Sequence, residues 1–253
     1  MRIVELKDGY AIRGDALQQS VIDAITTRIG PRQLTLIIAD PPYGGIVDEE
    51  WDKSEDDVAH SEWMIEATIA LAGLCLDGAS MYWFGGYGTA DNRPFWRFLI
   101  DVELDTSWKI STLITWKKKR AYGLPYKYLD TREEILHLVN GDPKKPLMFN
   151  VPLLEKERGY AGYDLNHPAK SKFLRRTNVW DDVTEILKGK KHKCQKPERL
   201  YEIMIETHTN PGDFVLDPFA GSGTLARACK KLDRKFILVE KSKKEFEKML
   251  ENI

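Results

Sequence analysis

The sequence predicts an α/β fold built on a mostly parallel sheet, and three segments carry that prediction. Leu34-Thr35-Leu36-Ile37-Ile38-Ala39 is an apolar run ending in Asp40-Pro41-Pro42-Tyr43. Phe214-Val215-Leu216 runs into Asp217-Pro218-Phe219-Ala220-Gly221-Ser222-Gly223-Thr224-Leu225-Ala226, and Lys235-Phe236-Ile237-Leu238-Val239 ends at Glu240. Short apolar runs of this kind read as buried strands. In all three, polar or small residues gather just past the C-terminal end of the run, where open α/β sheets bind their ligands.

The remaining elements follow in order along the chain. Asp15 is a candidate N-cap for a helix over 16–28. After the strand at 34–39, Val58, Trp63, Ile65, Ile69 and Leu74 give a roughly amphipathic helix near 57–76. A strand at 79–84 ends at Gly85-Gly86, and a helix over 92–103 comes next. Strands are expected at 110–116 and 133–139, with 117–130 as a long loop between them. Residues 140–175 are rich in Pro, Gly, Asn and Lys and lack a period, so an irregular insertion is expected there. Leu200, Ile203, Met204 and His208 then follow helical spacing. The expectation is one domain over 1–253 with an embedded insertion at 140–178.

Composition sets outer limits. The 253 residues are 42% apolar and 30% charged, the profile of a globular protein with a large core. No run of 18 uncharged apolar residues and no signal peptide is found, so neither a membrane nor secretion is expected, and a cytoplasmic location is the default. Cys75, Cys194 and Cys229 are widely spaced with no Cys-x-x-Cys pair, and the five histidines are scattered. No disulfide framework and no metal are expected. Cys75 and Cys229, in apolar helical contexts, read as small core residues.

The chemistry begins at Asp40-Pro41-Pro42-Tyr43. Two prolines fix φ and remove two N–H donors, so carbonyls beside Asp40 are left as fixed acceptors. A planar substrate with an exocyclic amino group suits this arrangement: Asp40 and a prolyl carbonyl accept its two hydrogens while Tyr43 stacks on the ring. Downstream, the Gly-x-Gly-x-x-Ala turn lets a ligand approach the backbone at a helix N-terminus. Glu240, 17 positions after Gly223, suits a ribose diol. No Gly-x4-Gly-Lys-Ser/Thr phosphate loop occurs.

Asp40-Pro41-Pro42-Tyr43 resembles the catalytic signature of the amino-group DNA methyltransferases, which modify adenine N6 or cytosine N4 with S-adenosylmethionine. Asp217-Pro218-Phe219 with its glycines is similar to that family's motif around the methionine end of the cofactor. His192-Lys193-Cys194-Gln195-Lys196-Pro197 resembles the family's His-x-x-Gln-Lys-Pro element, with Lys193-Cys194 replacing the usual Pro-Thr. Gly14-Asp15 looks like the turn whose carboxylate accepts from the cofactor's adenine amine, and Arg176-Thr177-Asn178-Val179-Trp180-Asp181 resembles a segment upstream of the Gln-Lys-Pro element. With the catalytic motif first and the glycines last, the order resembles the β-class circular permutation.

The resemblance implies a Rossmann-like methyltransferase fold with a seven-stranded, mostly parallel sheet closed by an antiparallel hairpin at 110–116 and 133–139. Residues 9–13 would supply the strand missing after Glu240. It implies a catalytic role for Asp40, Pro41, Pro42 and Tyr43. Cofactor contacts would come from Asp15, Ala16, Asp40, Lys196, Asp217, Phe219, Gly221, Ser222, Gly223, Thr224 and Glu240. An aspartate at the head of the tetrapeptide favours adenine N6 over cytosine N4, acting on a base flipped from double-stranded DNA. No Pro-Cys nucleophile motif is present, so no covalent intermediate is implied.

Charge distribution bears on DNA. From Asn140 to Lys196 there are 13 Lys or Arg against 7 Asp or Glu, a surplus of six that leaves −7 for the rest of a chain of net charge −1. Lys117, Lys118, Lys119 and Arg120, with Lys170, Lys172, Arg175 and Arg176, are interleaved with Tyr126, Tyr128, Tyr160, Tyr163 and Phe173 and suit phosphate contact. The insertion at 140–178 is therefore assigned to target recognition. A homodimer and a cognate restriction nuclease are both open as partners. Rival readings use only part of this. A dinucleotide-dependent oxidoreductase leaves Asp-Pro-Pro-Tyr idle, and a non-catalytic DNA-binding module has no use for two ligand motifs. After cytosine N4, an RNA methyltransferase is a third rival, closer than these two.

Overall fold

A computed structural model describes the chain apart from residues 32, 44–55, 87–92, 124, 127, 158–170 and 187–194. In order the elements are β1 (Arg2–Leu6), β2 (Gly9–Arg13), α1 (Gln19–Ile29), β3 (Leu34–Ala39), α2 (Asp57–Ala72), β4 (Cys75–Gly85), α3 (Pro94–Asp105), β5 (Trp108–Tyr122) and β6 (Asp130–Asn140). They continue with β7 (Leu153–Glu157), β8 (Phe173–Arg175), β9 (Val179–Trp180), α4 (Glu198–His208), β10 (Phe214–Asp217), α5 (Thr224–Lys231), β11 (Lys235–Glu240) and α6 (Lys243–Asn252).

Strands β1-β2-β11-β10-β3-β4-β6-β5-β9 form one sheet in that spatial order. From β2 to β4 neighbours run parallel; β6 then pairs antiparallel with β4 and β5. Those seven are the expected strands. Two more extend the edges: β1 lies antiparallel to β2, and β9 lies parallel to β5.

Alternation along the strands builds two apolar layers. Ala11, Leu36, Ile38, Val215, Phe236 and Leu238 face one layer, closed by Leu200, Met204, Leu225, Cys229, Phe246 and Met249 of α4, α5 and α6. Ile12, Ile37, Ala39, Leu216, Ile237 and Val239 face the other, closed by Val21, Ile25, Met64, Leu71, Phe98 and Val102 of α1, α2 and α3. Both covered faces explain why these strands read as continuous apolar runs. Cys75 and Cys229 are both fully buried, as core residues.

Several boundaries differ from expectation for local reasons. Helix α2 stops at Ala72, before Gly73, so β4 starts at Cys75 rather than 79. Helix α3 opens on Pro94, whose fixed φ suits a first turn. Helix α1 starts at Gln19, because Asp15 accepts instead from the Leu17 amide, 3.1 Å, in a turn ahead of the helix. The expected loop 117–130 shrinks to 123–129: β5 runs to Tyr122 and its lysine-rich end still pairs with β6, Lys117 opposite Arg132 and Tyr122 opposite Asp130. The insertion is not wholly irregular. Strands β7 and β8 pair antiparallel within it, and Arg176 N–H donates to the Pro152 carbonyl, 2.9 Å.

Candidate active site

Strand β3 delivers Asp40 and Tyr43 to the C-terminal edge of the sheet, β6 delivers Glu133, and the segment before α4 delivers Lys196. The Lys196 ammonium lies 2.9 Å from Asp40 Oδ1, 2.8 Å from Glu133 Oε1 and 3.0 Å from the Tyr43 hydroxyl oxygen, which uses all three of its protons. Tyr43 Oη is 2.6 Å from Glu133 Oε1 and 2.9 Å from Asp40 Oδ1. Its single proton serves one of them, and the shorter contact is to Glu133. Lys118 pairs with Glu133 Oε2. Side-chain exposures of 6% for Lys196, 7% for Glu133 and 16% for Asp40 make this a largely desolvated set of two carboxylates and two ammonium groups.

Burial raises the Asp40 carboxyl above its usual range; Lys196 opposes that rise and Glu133 adds to it. Burial also works against ionising Glu133, but Lys196 and Lys118 outweigh it and bring that carboxyl down to about 2. Lys196 is held firmly protonated: burial disfavours its charge, and Asp40 and Glu133 overcome it. Both hydrogen bonds of Asp40 fall on Oδ1. Among the described residues no donor reaches Oδ2 or the Pro41 carbonyl, whereas the Pro42 carbonyl is taken by His60 Nε2 at 3.0 Å.

Beside this cluster, β10 and β11 end in Asp217 and Glu240. Asp217 Oδ1 accepts from the Phe219 amide at 3.0 Å. Glu240 accepts from Gly221 N–H at 3.0 Å and Ser242 N–H at 2.7 Å, so it shapes the glycine turn. Burial pushes Asp217 well above the carboxylate range, and the charges of Asp40 and Glu240 add to the shift. Burial raises Glu240 too, against opposing amides from Ser242 and Gly221. Three carboxyls at neighbouring strand ends thus resist ionisation. A cationic ligand between them would relieve that.

The permuted order closes as expected. Glu240 lies opposite Arg13 in the parallel β11·β2 pair, Gly14 N–H donates to the Glu240 carbonyl at 3.1 Å, and Asp15 pairs with Lys241 at 2.9 Å. Asp15 therefore joins Glu240 at the same edge. The two turn glycines differ. Gly221, at φ +46°, presents an open face, and the nearest atom to an added Cβ is 3.9 Å away. Gly223, at φ +73°, is closed by the Ile253 side chain, 2.4 Å from an added Cβ. Thr224 Oγ1 is buried against Ser222 Oγ and Arg227, and the Ala16 methyl is buried in the layer with Ile12 and Val21. Phe219 packs edge-on to Trp83 and tilted on Trp63.

The basic residues separate into two groups. Lys117, Lys119, Arg120, Lys172 and Arg175 are exposed. Lys118 is committed to Glu133, and Lys172, though exposed, pairs with Glu157 at 3.1 Å. Arg176 corrects the expectation of a phosphate contact: its side chain is 4% exposed, forks onto Asp182 at 2.5 and 2.7 Å and packs over Trp180. Lys170, Tyr160, Tyr163 and His192 to Cys194 lie outside the described residues. Sequence reasoning missed Glu133, His60 and Arg227. A charged pair, Glu133-Glu134, at the head of the mostly apolar stretch 133–139 was the available signal for the first.

The chain belongs to the DNA methylase family, whose sequence model matches residues 34–251. It is a family of amino-methyltransferases that use S-adenosylmethionine as methyl donor. The chain is 30% identical over 250 residues to the DNA adenine methyltransferase YhdJ of Escherichia coli K12, covering 90% of this chain and 77% of that one. The crystal structure of an M1.HpyAVI–SAM complex superposes with a TM-score of 0.61 at 26% identity, over 96% of this chain and 98% of that one. The PvuII cytosine-N4-specific methyltransferase gives 0.72 at 15% identity, over 96% and 86%, a likeness of fold. The cleft fits such a donor: Asp40, Asp217 and Glu240, carboxyls that burial disfavours as anions, would be relieved by its sulfonium and ammonium charges, and the open face of Gly221 leaves room beside them.

Proposed function

We propose that this chain methylates the N6 amine of adenine, flipped out of double-stranded DNA. The observation that carries the reading is the asymmetry of Asp40: Oδ1 faces the Lys196 ammonium and the Tyr43 hydroxyl, while among the described residues no donor reaches Oδ2 or the Pro41 carbonyl. Together they offer the two acceptors an exocyclic amine needs. The amine is a poor nucleophile because its lone pair is delocalised into the ring. Accepting both N–H hydrogens biases the nitrogen toward sp³ and aims the lone pair, so orientation and a preorganised field supply the acceleration. When bound, S-adenosylmethionine supplies an electrophilic methyl group on a sulfonium. Asp40 Oδ2 takes the proton the amine releases on alkylation, a role its raised basicity suits. The Tyr43 ring offers the flipped base a stacking surface.

Asp217, the open face of Gly221 and Glu240 would hold the donor, with Asp15 at its adenine end. Lys117, Lys119 and Arg120 on β5, with Lys172 and Arg175, would contact phosphates, and the insertion at 140–178 would carry target recognition. Adenine is favoured by the aspartate that opens the tetrapeptide and by the likeness to a relative named as an adenine methyltransferase. Cytosine N4 is the second reading, on the same acceptor geometry. Nucleoside mass spectrometry of DNA from a host expressing the chain separates them: N6-methyladenine is expected, and N4-methylcytosine alone would replace this reading with the second.

A further inference from the structure

We propose that Glu133 is a positioning residue for this reaction: it shares the Lys196 ammonium and takes the Tyr43 proton, and so keeps Asp40 Oδ2 free for the target amine. The inference rests on the functional reading above. Glu133 is the first buried residue of β6, opposite Trp116 in the hairpin and remote in sequence from every motif. A desolvated carboxylate persists only when paired. Here the pairing is divided: Oε1 faces Lys196 and Tyr43, and Oε2 faces Lys118.

Without Glu133 the same donors have one carboxylate left. Lys196 would belong to Asp40 alone, the Tyr43 hydroxyl would turn its proton to Asp40, and both oxygens of Asp40 would be drawn on. Glu133 prevents this by competing, at 2.8 Å for the ammonium against 2.9 Å for Asp40, and at 2.6 Å for the hydroxyl against 2.9 Å. Lys118 sets the strength of that competition. Among the described residues, the charged and titratable groups facing Asp40 are Lys196, Tyr43, Glu133, Asp217 of β10 and Tyr201 of α4.

The test compares the full-length chain with Glu133→Gln and Lys118→Met, following kcat against pH on one duplex and, without turnover, the Asp40 carboxyl by 13C NMR titration. Loss of the Glu133 charge lowers the Asp40 pKa, so Glu133→Gln should move the Asp40 titration and the acid limb of kcat to lower pH by about one unit. At neutral pH kcat should fall about tenfold or more, with S-adenosylmethionine affinity within about threefold. Lys118→Met leaves Glu133 with Lys196 alone, and the titration should move to higher pH. Opposite shifts carry the proposal. An unmoved Asp40 titration in either folded variant overturns it, even where kcat falls, because a merely structural residue would lower the rate without that shift. If Glu133→Gln does not fold, the Lys118→Met titration decides by itself. A wild-type chain inactive on every DNA refutes the functional reading instead, and the NMR titration still reads this one.

Discussion

The two places where this chain concentrates charge obey opposite rules. At the C-terminal edge of the sheet, Asp40, Glu133 and Lys196 are desolvated, and each ion is within 3 Å of its counter-ion. On β5 and around β7 and β8, Lys117, Lys119, Arg120 and Arg175 face water. Coulomb energy at a given distance is several-fold larger in the first setting, and salt screens it less. Removing one buried partner therefore perturbs the whole cluster, whereas exposed cations act nearly independently and mainly through their number. The same residue types serve precise positioning in one region and diffuse attraction in the other.

The largest effect should come from breaking the buried set. Asp40→Ala removes the acceptor that has no substitute, and methyl transfer should fall at least a thousandfold, roughly 4 kcal/mol of barrier, with the melting temperature little changed. Activity retained within about tenfold would sink the assignment. Next comes Gly221→Val, which fills the open face of the turn with a β-branched side chain at positive φ. S-adenosylmethionine affinity by calorimetry should drop at least about thirtyfold, near 2 kcal/mol, and unchanged affinity would move the cofactor elsewhere.

In the exposed region effects should be graded. Lys119→Ala with Arg120→Ala should weaken binding to all DNA sequences alike and flatten the slope of log affinity against log salt by about 1.8, at about 0.9 per phosphate contact. An unaltered slope would remove the β5 end from the DNA interface. Smallest of all, Arg176→Ala should leave that slope unchanged and instead lower stability by about 1–2 kcal/mol, through loss of the fork to Asp182 and the packing on Trp180. Arg175→Ala is its counterpart: a change in slope of about 0.9 with little loss of stability.

The sequence made the sheet legible because strands covered on both faces need apolar side chains on both, and 34–39 (apart from Thr35), 214–216 and 236–239 supply them. It made Asp40, Tyr43, Gly221 and Glu240 legible because each stands at the end of such a strand. Lys117 to Tyr122 misled for a physical reason: a ribbon projecting from a sheet has solvent on its faces and needs no apolar code, so a charged strand and a loop read alike. Arg176 misled because a lone cation in a sequence carries no mark of its partner, here Asp182 six residues on. Glu133 was hidden by distance, since its contact with Tyr43 spans 90 positions and only the pairing of β6 with β4 and β5 brings it there.

The seam between β2 and β11 has a consequence for how the molecule comes to be folded. Strand β2 finds its parallel neighbour only when Phe236 reaches Gly9, almost a full chain length away, and Ile253 then closes over Gly223. Loop closure over such a separation is slow, and until it happens β2 presents an open edge on one side. Glu240, which shapes the turn at Gly221, is joined to Arg13 and Gly14 across that same late seam. Donor affinity should therefore be among the last properties to appear during refolding, after the core formed by β3, β4 and β6. A donor present from the outset should raise the final yield by trapping the closed seam rather than by speeding its formation.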